Sequence, residues 1–196
     1  MISELQARYL YQFVLLKQPC KILEIGTFTG RSTLAMALAL SHLSTKRSTE
    51  TFSKVEYLLE TCDIDPKAVS VAKKYVQACN LSSLVDFHIG KGLDWLPSKP
   101  AWSYDLIFLD ADKSHLMSYV SSIQTLNLLA DRGCIIIDNT LFRGQVLDCW
   151  QDSNQKTKTF ARKIHAFNQS ILEQLHDKFS LFVLPLFDGL TIIQKL

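Results

Sequence analysis

The sequence lacks the features that would place this protein in a membrane or on a nucleic acid. No apolar run approaches the roughly 20 residues needed to span a bilayer. Glu4 and Arg8 interrupt the apolar pattern near the N-terminus, so we expect no signal peptide. The formal net charge is only +2, which is too small and too scattered to attract nucleic acid or an anionic membrane. We therefore expect a cytoplasmic protein that binds neither.

Paired cysteines and metal-binding histidine motifs are also missing. The cysteines are odd in number and contain no Cys-x-x-Cys pair: Cys20, Cys62, Cys79, Cys134 and Cys149. Most lie in apolar surroundings, which is typical of reduced thiols in a cytoplasmic protein and argues against a disulfide framework or a zinc site. The histidines show no paired ligand spacing. We interpret His115, which follows Lys113 and Ser114, as a surface residue, with a place in the lining of a site as the alternative.

Composition and pattern predict one α/β domain that spans residues 1–196. Hydrophobic residues make up 47% of the chain and charged residues 20%, which is typical of a globular protein with a substantial core. Helices are predicted at Ile2–Lys17, Arg31–His42, Pro66–Asn80, Ser114–Leu129 and Lys156–Asp177. Strands are predicted at Lys21–Ile25, Val55–Cys62, Val85–Ile89, Tyr104–Asp110, Gly133–Asp138, Phe179–Leu184 and Leu190–Gln194.

The order of these elements predicts a doubly wound sheet. Strands that are apolar on both faces and alternate with helices are typical of a parallel sheet covered on both sides. The last two strands have no helix between them, so we expect one antiparallel edge strand. The Ser/Thr-rich stretch Ser44–Lys54 is predicted to be a loop, and the turn Gly90–Leu96 follows the third strand.

The segment Lys21–Ser32 combines a strand, a glycine-bracketed turn and a helix start. Gly26 and Gly30 allow close approach of a ligand to the backbone, and the helix end offers unpaired N–H groups. The spacing is E-x-G-x-x-x-G from Glu24, and Phe28 stands where a dinucleotide motif has its second glycine. This motif favours a cofactor without a pyrophosphate, although an ordinary structural turn stays open as the alternative.

Polar residues follow four of the predicted strands, at the rim where α/β sheets bind ligands. They are Glu24 and Gly26, Asp63, Asp110 and Asp112, and Asp138 and Asn139. A single acid at such a place is usually a loop cap, but four sets on one rim indicate a binding site. Asp63 is suited to accept hydrogen bonds from ribose hydroxyls, because Asp65 already serves as the N-cap of the next helix.

Three of these residues form a set of oxygen ligands without a nearby His or Cys. Asp110, Asp138 and Asn139 suit a hard cation such as Mg²⁺ or Ca²⁺ rather than zinc. An open position on that cation would make it a Lewis acid that helps to ionise a substrate hydroxyl. Lys113 is placed to reach the same oxygen as a base. The alternative is a surface lysine at a helix start, where a positive charge is unfavourable.

With these residues placed, the chain resembles the cation-dependent class I O-methyltransferases, the family of caffeoyl-CoA and catechol O-methyltransferases and their bacterial relatives. The similar segments are LEIGTFTGRSTLAMA (Leu23–Ala37), CDIDPKAVSVAKKY (Cys62–Tyr75), YDLIFLDADKSH (Tyr104–His115), IIIDNTLFRGQV (Ile135–Val146) and LPLFDGLTIIQKL (Leu184–Leu196). They cover nearly the whole chain, and the pairing of D-A-D-K with D-N is specific to this family among methyltransferases.

The resemblance implies S-adenosylmethionine as the methyl donor, a divalent cation (Mg²⁺, with Ca²⁺ or Mn²⁺ as alternatives), and a homodimer. It also implies a Rossmann-like seven-stranded sheet in the order 3-2-1-4-5-7-6 and transfer of the methyl group to a metal-held hydroxyl of a catechol-like acceptor. The implied cofactor contacts are Glu24, Gly26, Thr27 and Ser32 at the methionine part, Asp63 at the ribose, Gly92 at the adenine, and Asp112. The implied metal ligands are Asp110, Asp138 and Asn139, and Lys113 would be the general base, with Asp110 also catalytic.

Three departures from the family pattern concern the acceptor and one loop. The sequence begins at what resembles the family's cofactor-side helix, Ser3–Gln6, without the preceding segment that usually carries acceptor contacts, and Leu5 replaces a usual glycine. Arg143 falls at an acceptor-contact position, in a loop that lacks the Trp usual after Leu141, and would suit an anionic acceptor. The Ser44–Lys54 stretch is longer than usual.

Two other functions stay open. One is a non-catalytic S-adenosylmethionine-binding module with an incomplete acceptor site. The other is a nicotinamide-dependent oxidoreductase, against which Phe28 and the lack of a hydride-site Tyr–Lys or His arrangement argue. The tryptophans are interpreted as packing residues, with Trp150 the one that would border a substrate pocket.

Overall fold

The computed structural model of the protein describes residues 1–47, 56–147, 155–175 and 179–196. The helices are α1 (Glu4–Lys17), α2 (Arg31–Arg47), α3 (Pro66–Ala78), α4 (Gly92–Trp95), α5 (Leu116–Thr125) and α6 (Gln155–Gln174). The strands are β1 (Lys21–Ile25), β2 (Leu58–Asp63), β3 (Val85–Ile89), β4 (Tyr104–Leu109), β5 (Leu129–Asp138), β6 (Phe179–Leu184) and β7 (Leu190–Lys195).

The strands form one seven-stranded sheet in the order β3-β2-β1-β4-β5-β7-β6, which confirms the expected fold class and strand order. The first five strands pair in parallel, and β7 pairs antiparallel with both β5 and β6. The predicted antiparallel edge strand is therefore wrong in one respect. The antiparallel strand is β7, which lies inside the sheet, while β6 forms the edge and runs in the direction of β5.

Alternate residues of the central strands feed two apolar layers, because successive side chains point to opposite faces. Ile22, Leu106, Phe108 and Ile136 pack with Leu10, Val14, Met36 and Leu40 from α1 and α2 on one face. Leu23, Ile107, Leu109 and Ile137 pack with Leu116, Val120, Ile123 and Phe167 from α5 and α6 on the other. Burial on both faces explains why these strands read as nearly continuous apolar runs.

Local signals account for several helix ends. Asp65 is the N-cap of α3, where its side chain accepts a hydrogen bond from the backbone N–H of Lys67, and Pro66 opens the helix, as predicted. Ser3 caps α1 in the same way. The buried residues of α1 are Gln6, Leu10 and Val14, while the apolar residues Leu5 and Leu16 are exposed.

Several boundaries also differ from those predicted. α2 continues to Arg47, so the first residues of the predicted Ser44–Lys54 loop are helical, and its remainder lies outside the described residues. The predicted helix Ser114–Leu129 consists of a 3₁₀ turn, Lys113–His115, followed by α5. The left-handed residue Asn127 (φ 50°) follows the end of α5, and β5 starts four residues earlier than expected. Asp177 and Cys149 also fall outside the described part of the chain.

Two expectations about composition are compatible with the described residues. Cys20, Cys62, Cys79 and Cys134 are thiols and form no disulfide with one another. No helix within the described ranges combines the length and the apolar character needed to cross a membrane.

Candidate active site

A cavity of about 640 Å³ opens at the carboxyl ends of β1, β2 and β4. Its size is within the range of small-molecule pockets, about 300–1,000 Å³. Five residues predicted to bind the cofactor or the metal line this cavity: Gly26, Asp63, Gly92, Asp110 and Asp112. The cavity therefore lies at the rim of the sheet where the sequence predicts a binding site, at the carboxyl ends of the strands.

Gly26 allows the turn after β1 to pack against the end of β4. Its φ is +109°, and a Cβ built at this position would lie 2.5 Å from the backbone oxygen of Asp110. The Gly26 N–H donates to the carbonyl of Cys62, which ties the same turn to β2. A side chain at position 26 would therefore both strain the backbone and displace Asp110.

Asp63 connects the glycine turn to the loop before α3. One carboxylate oxygen accepts from the backbone N–H of Phe28 at 2.6 Å, and the other accepts from that of Asp65 at 2.9 Å. Asp63 therefore has a structural role that sequence reasoning did not predict. Its carboxylate also lines the cavity, where a ribose contact stays a prediction.

Glu24 lies behind the cavity wall and is completely buried. Its Oε2 accepts hydrogen bonds from the hydroxyls of Thr33 and Thr61, whereas Oε1 has no partner among the described residues. Burial raises the pKa of Glu24 to about 7, although hydrogen bonds from Ser32, Thr33 and Thr61 oppose this effect. An orphaned carboxylate oxygen in such a place is an acceptor for a cationic group of a ligand.

The other predicted cofactor residues have mixed positions. Thr27 and Ser32 are buried beside Glu24 and do not line the cavity, whereas Gly92 does. A Cβ at Gly92 would lie 2.8 Å from Ile25 Cγ2 and 3.0 Å from Tyr119 Cε1. A side chain at this position would therefore collide with both residues.

Asp112 lines the cavity together with His115, to which it is hydrogen-bonded. Asp112 accepts from the backbone N–H of Ser114 at 3.0 Å, and its other oxygen lies 2.7 Å from His115 Nδ1. These contacts, that from Ser114 first, lower the pKa of Asp112. His115 is exposed and also borders the cavity, so the surface position and its alternative, a place in the lining, both hold.

Asp110, Lys113 and Asp138 form a second, mostly buried group. Lys113 Nζ lies 2.9 Å from Asp110 Oδ1. Asp138 is 2% exposed, and its pKa is raised to about 6, by burial first and then by the charge of Asp110. Lys113 and the side-chain amide of Gln6 act in the opposite direction. The negative charge of Asp110 acts on Asp138, and a nearby cation would relieve this repulsion.

Asn139 completes the predicted ligand set next to Asp138. Its backbone N–H donates to Asp138 Oδ1 at 2.8 Å, and its Nδ2 donates to Asp188 Oδ2 at 3.3 Å. Within the described ranges, no three side chains of the types His, Cys, Asp and Glu are grouped to hold a metal ion. The predicted set has two carboxylates and one amide, so its role as a metal site stays a prediction.

Of the two residues predicted to contact the acceptor, only Arg143 lies among the described residues. Arg143 is exposed in the turn Phe142–Gly144, with a left-handed φ of 56°, and it does not line the cavity. Trp150 lies outside the described residues.

Sequence reasoning missed several residues that line the cavity and one that lies behind Asp138. Cys62, Ile64, Asp94 and Tyr119 line the cavity. Gln6 is 4% exposed in the buried stripe of α1, and its side-chain amide acts on Asp138. The signal available in the sequence was the spacing. Gln6 lies four positions before Leu10 and eight before Val14, so it lies on the same face of the helix as these two apolar residues.

The chain is similar to known O-methyltransferases along its whole length. A family model described as O-methyltransferase matches residues 1–196. A catechol O-methyltransferase of Niastella koreensis is 33% identical over 168 residues, which cover 84% of this chain and 68% of the relative. A catechol O-methyltransferase of Mycobacterium tuberculosis is 31% identical over 143 residues, which cover 73% of this chain and 58% of the relative. The crystal structure of the SAH-bound Podospora anserina methyltransferase PaMTH1 is 25% identical, with a TM-score of 0.86 over 100% of this chain and 80% of that chain.

Proposed function

Because the chain belongs to the O-methyltransferase family, we propose that it transfers the methyl group of S-adenosylmethionine to a hydroxyl of a catechol-like acceptor, with the help of a divalent cation. The observation that carries this proposal is the position of Asp110. Asp110 lines the cavity, forms an ion pair with Lys113 and acts electrostatically on Asp138. One residue therefore joins the predicted cofactor site to the predicted cation site.

S-adenosylmethionine fits the cavity by charge. Glu24 itself does not line the cavity, but the residues that follow it, Ile25 and Gly26, do. Its Oε1, which has no partner among the described residues, is the acceptor we propose for the ammonium group of the ligand. Asp63 offers a carboxylate at the cavity wall for hydroxyl groups of the ligand. The Podospora methyltransferase is SAH-bound, which supports a cofactor of this class.

A divalent cation fits the group formed by Asp110, Asp138 and Asn139. The set offers oxygen atoms, and a cation bound there would neutralise the carboxylate charges of Asp110 and Asp138. When bound, Mg²⁺ or a similar ion supplies Lewis-acid chemistry that lowers the pKa of an acceptor hydroxyl.

The residues of the chain then have separate tasks. Lys113, next to Asp110, is the candidate base. A cation bound by Asp110 would take over the charge pairing, and Lys113, after releasing its own proton to solvent, would accept the proton of the acceptor hydroxyl as a neutral amine. The turn at Gly26 fixes the backbone of Asp110 relative to the cofactor cavity. Holding the two reactants in line accounts for much of the rate in a transfer of this kind.

The similarity of this chain to the catechol O-methyltransferases of Niastella and Mycobacterium supports a vicinal dihydroxy aromatic as the acceptor.

We also propose that the protein is a cytoplasmic homodimer that binds neither nucleic acid nor membrane. The edge strand β6 exposes Phe182 and Val183, apolar surface that a second copy would cover. A molar mass near twice 22.3 kDa by light scattering would support the dimer, and the monomer mass would contradict it.

The second candidate is a binding module that holds S-adenosylmethionine without transferring its methyl group. The partly buried ion pair between Lys113 and Asp110 favours the enzyme, because a binding module has no need of a base beside the cofactor cavity. Membership of the O-methyltransferase family leaves the nicotinamide-dependent oxidoreductase without support.

The deciding experiment measures methylation of 3,4-dihydroxybenzoate and calorimetric binding of S-adenosylmethionine in parallel, with NADH as the control ligand. We expect activity that EDTA abolishes and Mg²⁺ restores, and binding of S-adenosylmethionine but not NADH. Cofactor binding without methylation of 3,4-dihydroxybenzoate would favour the binding module. Absence of S-adenosylmethionine binding would contradict both candidates.

A further inference from the structure

The hairpin between β6 and β7 is fastened to the loop that follows β5. The backbone oxygen of Asp188 accepts from the N–H groups of Leu141 at 2.8 Å and Phe142 at 3.2 Å. The Thr140 N–H donates to the oxygen of Gly189 at 3.1 Å. The two segments are therefore held in a fixed relation immediately beyond Asp138.

Gly189 shows how close this approach is. Its φ is +84°, and a Cβ built on it would lie 2.5 Å from Leu141 Cγ and 2.6 Å from Leu141 N. Only glycine permits the hairpin to lie so near the loop. The backbone at position 188 is thus placed by contacts that do not depend on the Asp188 side chain.

The Asp188 side chain reaches the predicted cation ligand Asn139. Its Oδ2 accepts a hydrogen bond from Asn139 Nδ2 at 3.3 Å. Asn139 itself is held in a left-handed conformation, with φ 61°, and its backbone N–H is bound by Asp138. The remaining freedom of this residue is the orientation of its amide group.

An ionised carboxylate can only accept hydrogen bonds, whereas an amide has an NH₂ donor on one side and an oxygen on the other. Asp188 therefore attracts Nδ2 of Asn139 and repels Oδ1. A hard cation binds the amide oxygen and not the nitrogen. The orientation that Asp188 favours is thus the one that keeps Oδ1 available to an ion.

We propose that Asp188 is a positioning residue that selects the orientation of the Asn139 amide for cation binding. This inference rests on the proposed function, because it concerns the same cation site. It adds a residue 49 positions away in the chain that acts on the cation through Asn139. Partners of metal ligands typically contribute 10- to 100-fold to metal affinity.

The substitution that isolates this role is Asp188→Asn, which keeps the size of the side chain but can present either an oxygen or an NH₂ group to Asn139. We expect the dissociation constant for Mg²⁺, measured by calorimetry, to rise at least about tenfold. The dissociation constant for Mn²⁺, measured by electron paramagnetic resonance, should rise in parallel. The melting temperature without metal and the affinity for S-adenosylmethionine should stay unchanged, which a purely structural role would not allow. Asp131→Asn is the matched control, since Asp131 is a 95% exposed carboxylate paired with Lys195.

The outcomes separate this inference from the proposed function. Mg²⁺ binding by the Asp188→Asn variant within twofold of the wild type would overturn the role of Asp188 and leave the cation site intact. Absence of Mg²⁺ binding by the wild type would overturn the cation site itself, and the role of Asp188 with it. A second measurement needs no variant: NMR of the wild type should show the Asn139 NH₂ protons protected from exchange, with and without Mg²⁺. Rapid exchange in both states would also overturn the inference.

Discussion

Lys113 Nζ lies 2.9 Å from Asp110 Oδ1, and the two side chains are only 15% and 20% exposed. The pair stands where β4 ends, beside the cavity that Asp110 lines. Lys113 also lowers the pKa of Asp138, so one ammonium group balances two carboxylates. The position of Lys113 is therefore tied to the charge of the whole proposed cation site.

Replacing Lys113 tests its proposed role as the base. We expect Lys113→Met to lower kcat for methylation of 3,4-dihydroxybenzoate by about 100-fold or more, as is typical when a general base is lost. The affinity for S-adenosylmethionine should be unchanged, because Lys113 does not line the cavity. Lys67→Met, at an exposed lysine of α3, is the control. A Lys113→Met variant that keeps more than half of the wild-type kcat would contradict this role.

Glu24 predicts a pH dependence of stability in the protein without ligands. Burial raises its pKa from 4.5 to about 7, so folding favours its protonated form. The stabilisation is complete below pH 4.5 and is lost as the pH rises to about 7, because the unfolded chain releases the proton first. The loss is on the order of 3 kcal/mol.

Glu24→Gln removes this titration. We expect urea denaturation to show a smaller fall in unfolding free energy between pH 5 and pH 8 for the variant than for the wild type. At pH 8 the variant should be the more stable protein, yet its affinity for S-adenosylmethionine should fall at least about tenfold, as expected when a buried charged partner is lost. Glu4→Gln, at an exposed residue of α1, should change neither quantity. Equal pH dependence in the wild type and Glu24→Gln would refute the assignment.

Two glycines with positive φ provide a matched test of the turn after β1. Gly26 (φ +109°) has the backbone oxygen of Asp110 2.5 Å from a built Cβ, whereas Gly144 (φ +75°) has nothing within 4 Å. We expect Gly144→Ala to lower the unfolding free energy by about 1–2 kcal/mol, the cost of a left-handed alanine. Gly26→Ala should lower it by roughly 3 kcal/mol or more, since the clash adds to that cost. Equal losses in urea denaturation would show that the Asp110 contact is unimportant.

The features that the sequence predicts correctly are those that depend on residues close to one another in the chain. The strand, turn and helix from Lys21 onward, and the cap and proline at Asp65 and Pro66, follow from residues within a few positions of one another. The resemblance supplied the strand order, including the place of β7. Without the resemblance, the sequence predicts that the antiparallel strand lies at the edge of the sheet. The missing helix between the last two strands indicates that they pair antiparallel, but it does not indicate which of them lies at the edge.

The parts that sequence reasoning missed depend on contacts between distant segments. Asp188 meets Asn139 only because β7 pairs with β5. Gln6 is buried because it lies on the packed face of α1. The apolar residues Leu5 and Leu16 are exposed, so apolar character alone does not identify that face. The second role of Asp63, as the acceptor for the Phe28 N–H, requires the geometry of two loops at once.

Arg143 tests the nature of the acceptor. The residue is exposed in a turn whose neighbours Leu141 and Phe142 are tied to Asp188. A guanidinium on a loop fixed in this way suits a carboxylate or phosphate on the part of the acceptor that extends out of the site. We expect Arg143→Ala to raise KM for 3,4-dihydroxybenzoate severalfold and to leave KM for uncharged catechol unchanged.

The comparison of the two acceptors separates charge recognition from a general disturbance of the loop, because both acceptors require the same hydroxyl chemistry. Arg132→Ala is the matched control, since Arg132 is also an exposed arginine with a left-handed φ, of 59°, and lies before Gly133 rather than in the loop after β5. An equal rise in KM for both acceptors would show that Arg143 shapes the loop. An unchanged KM for both would show that the anionic group of the acceptor is recognised elsewhere or not at all.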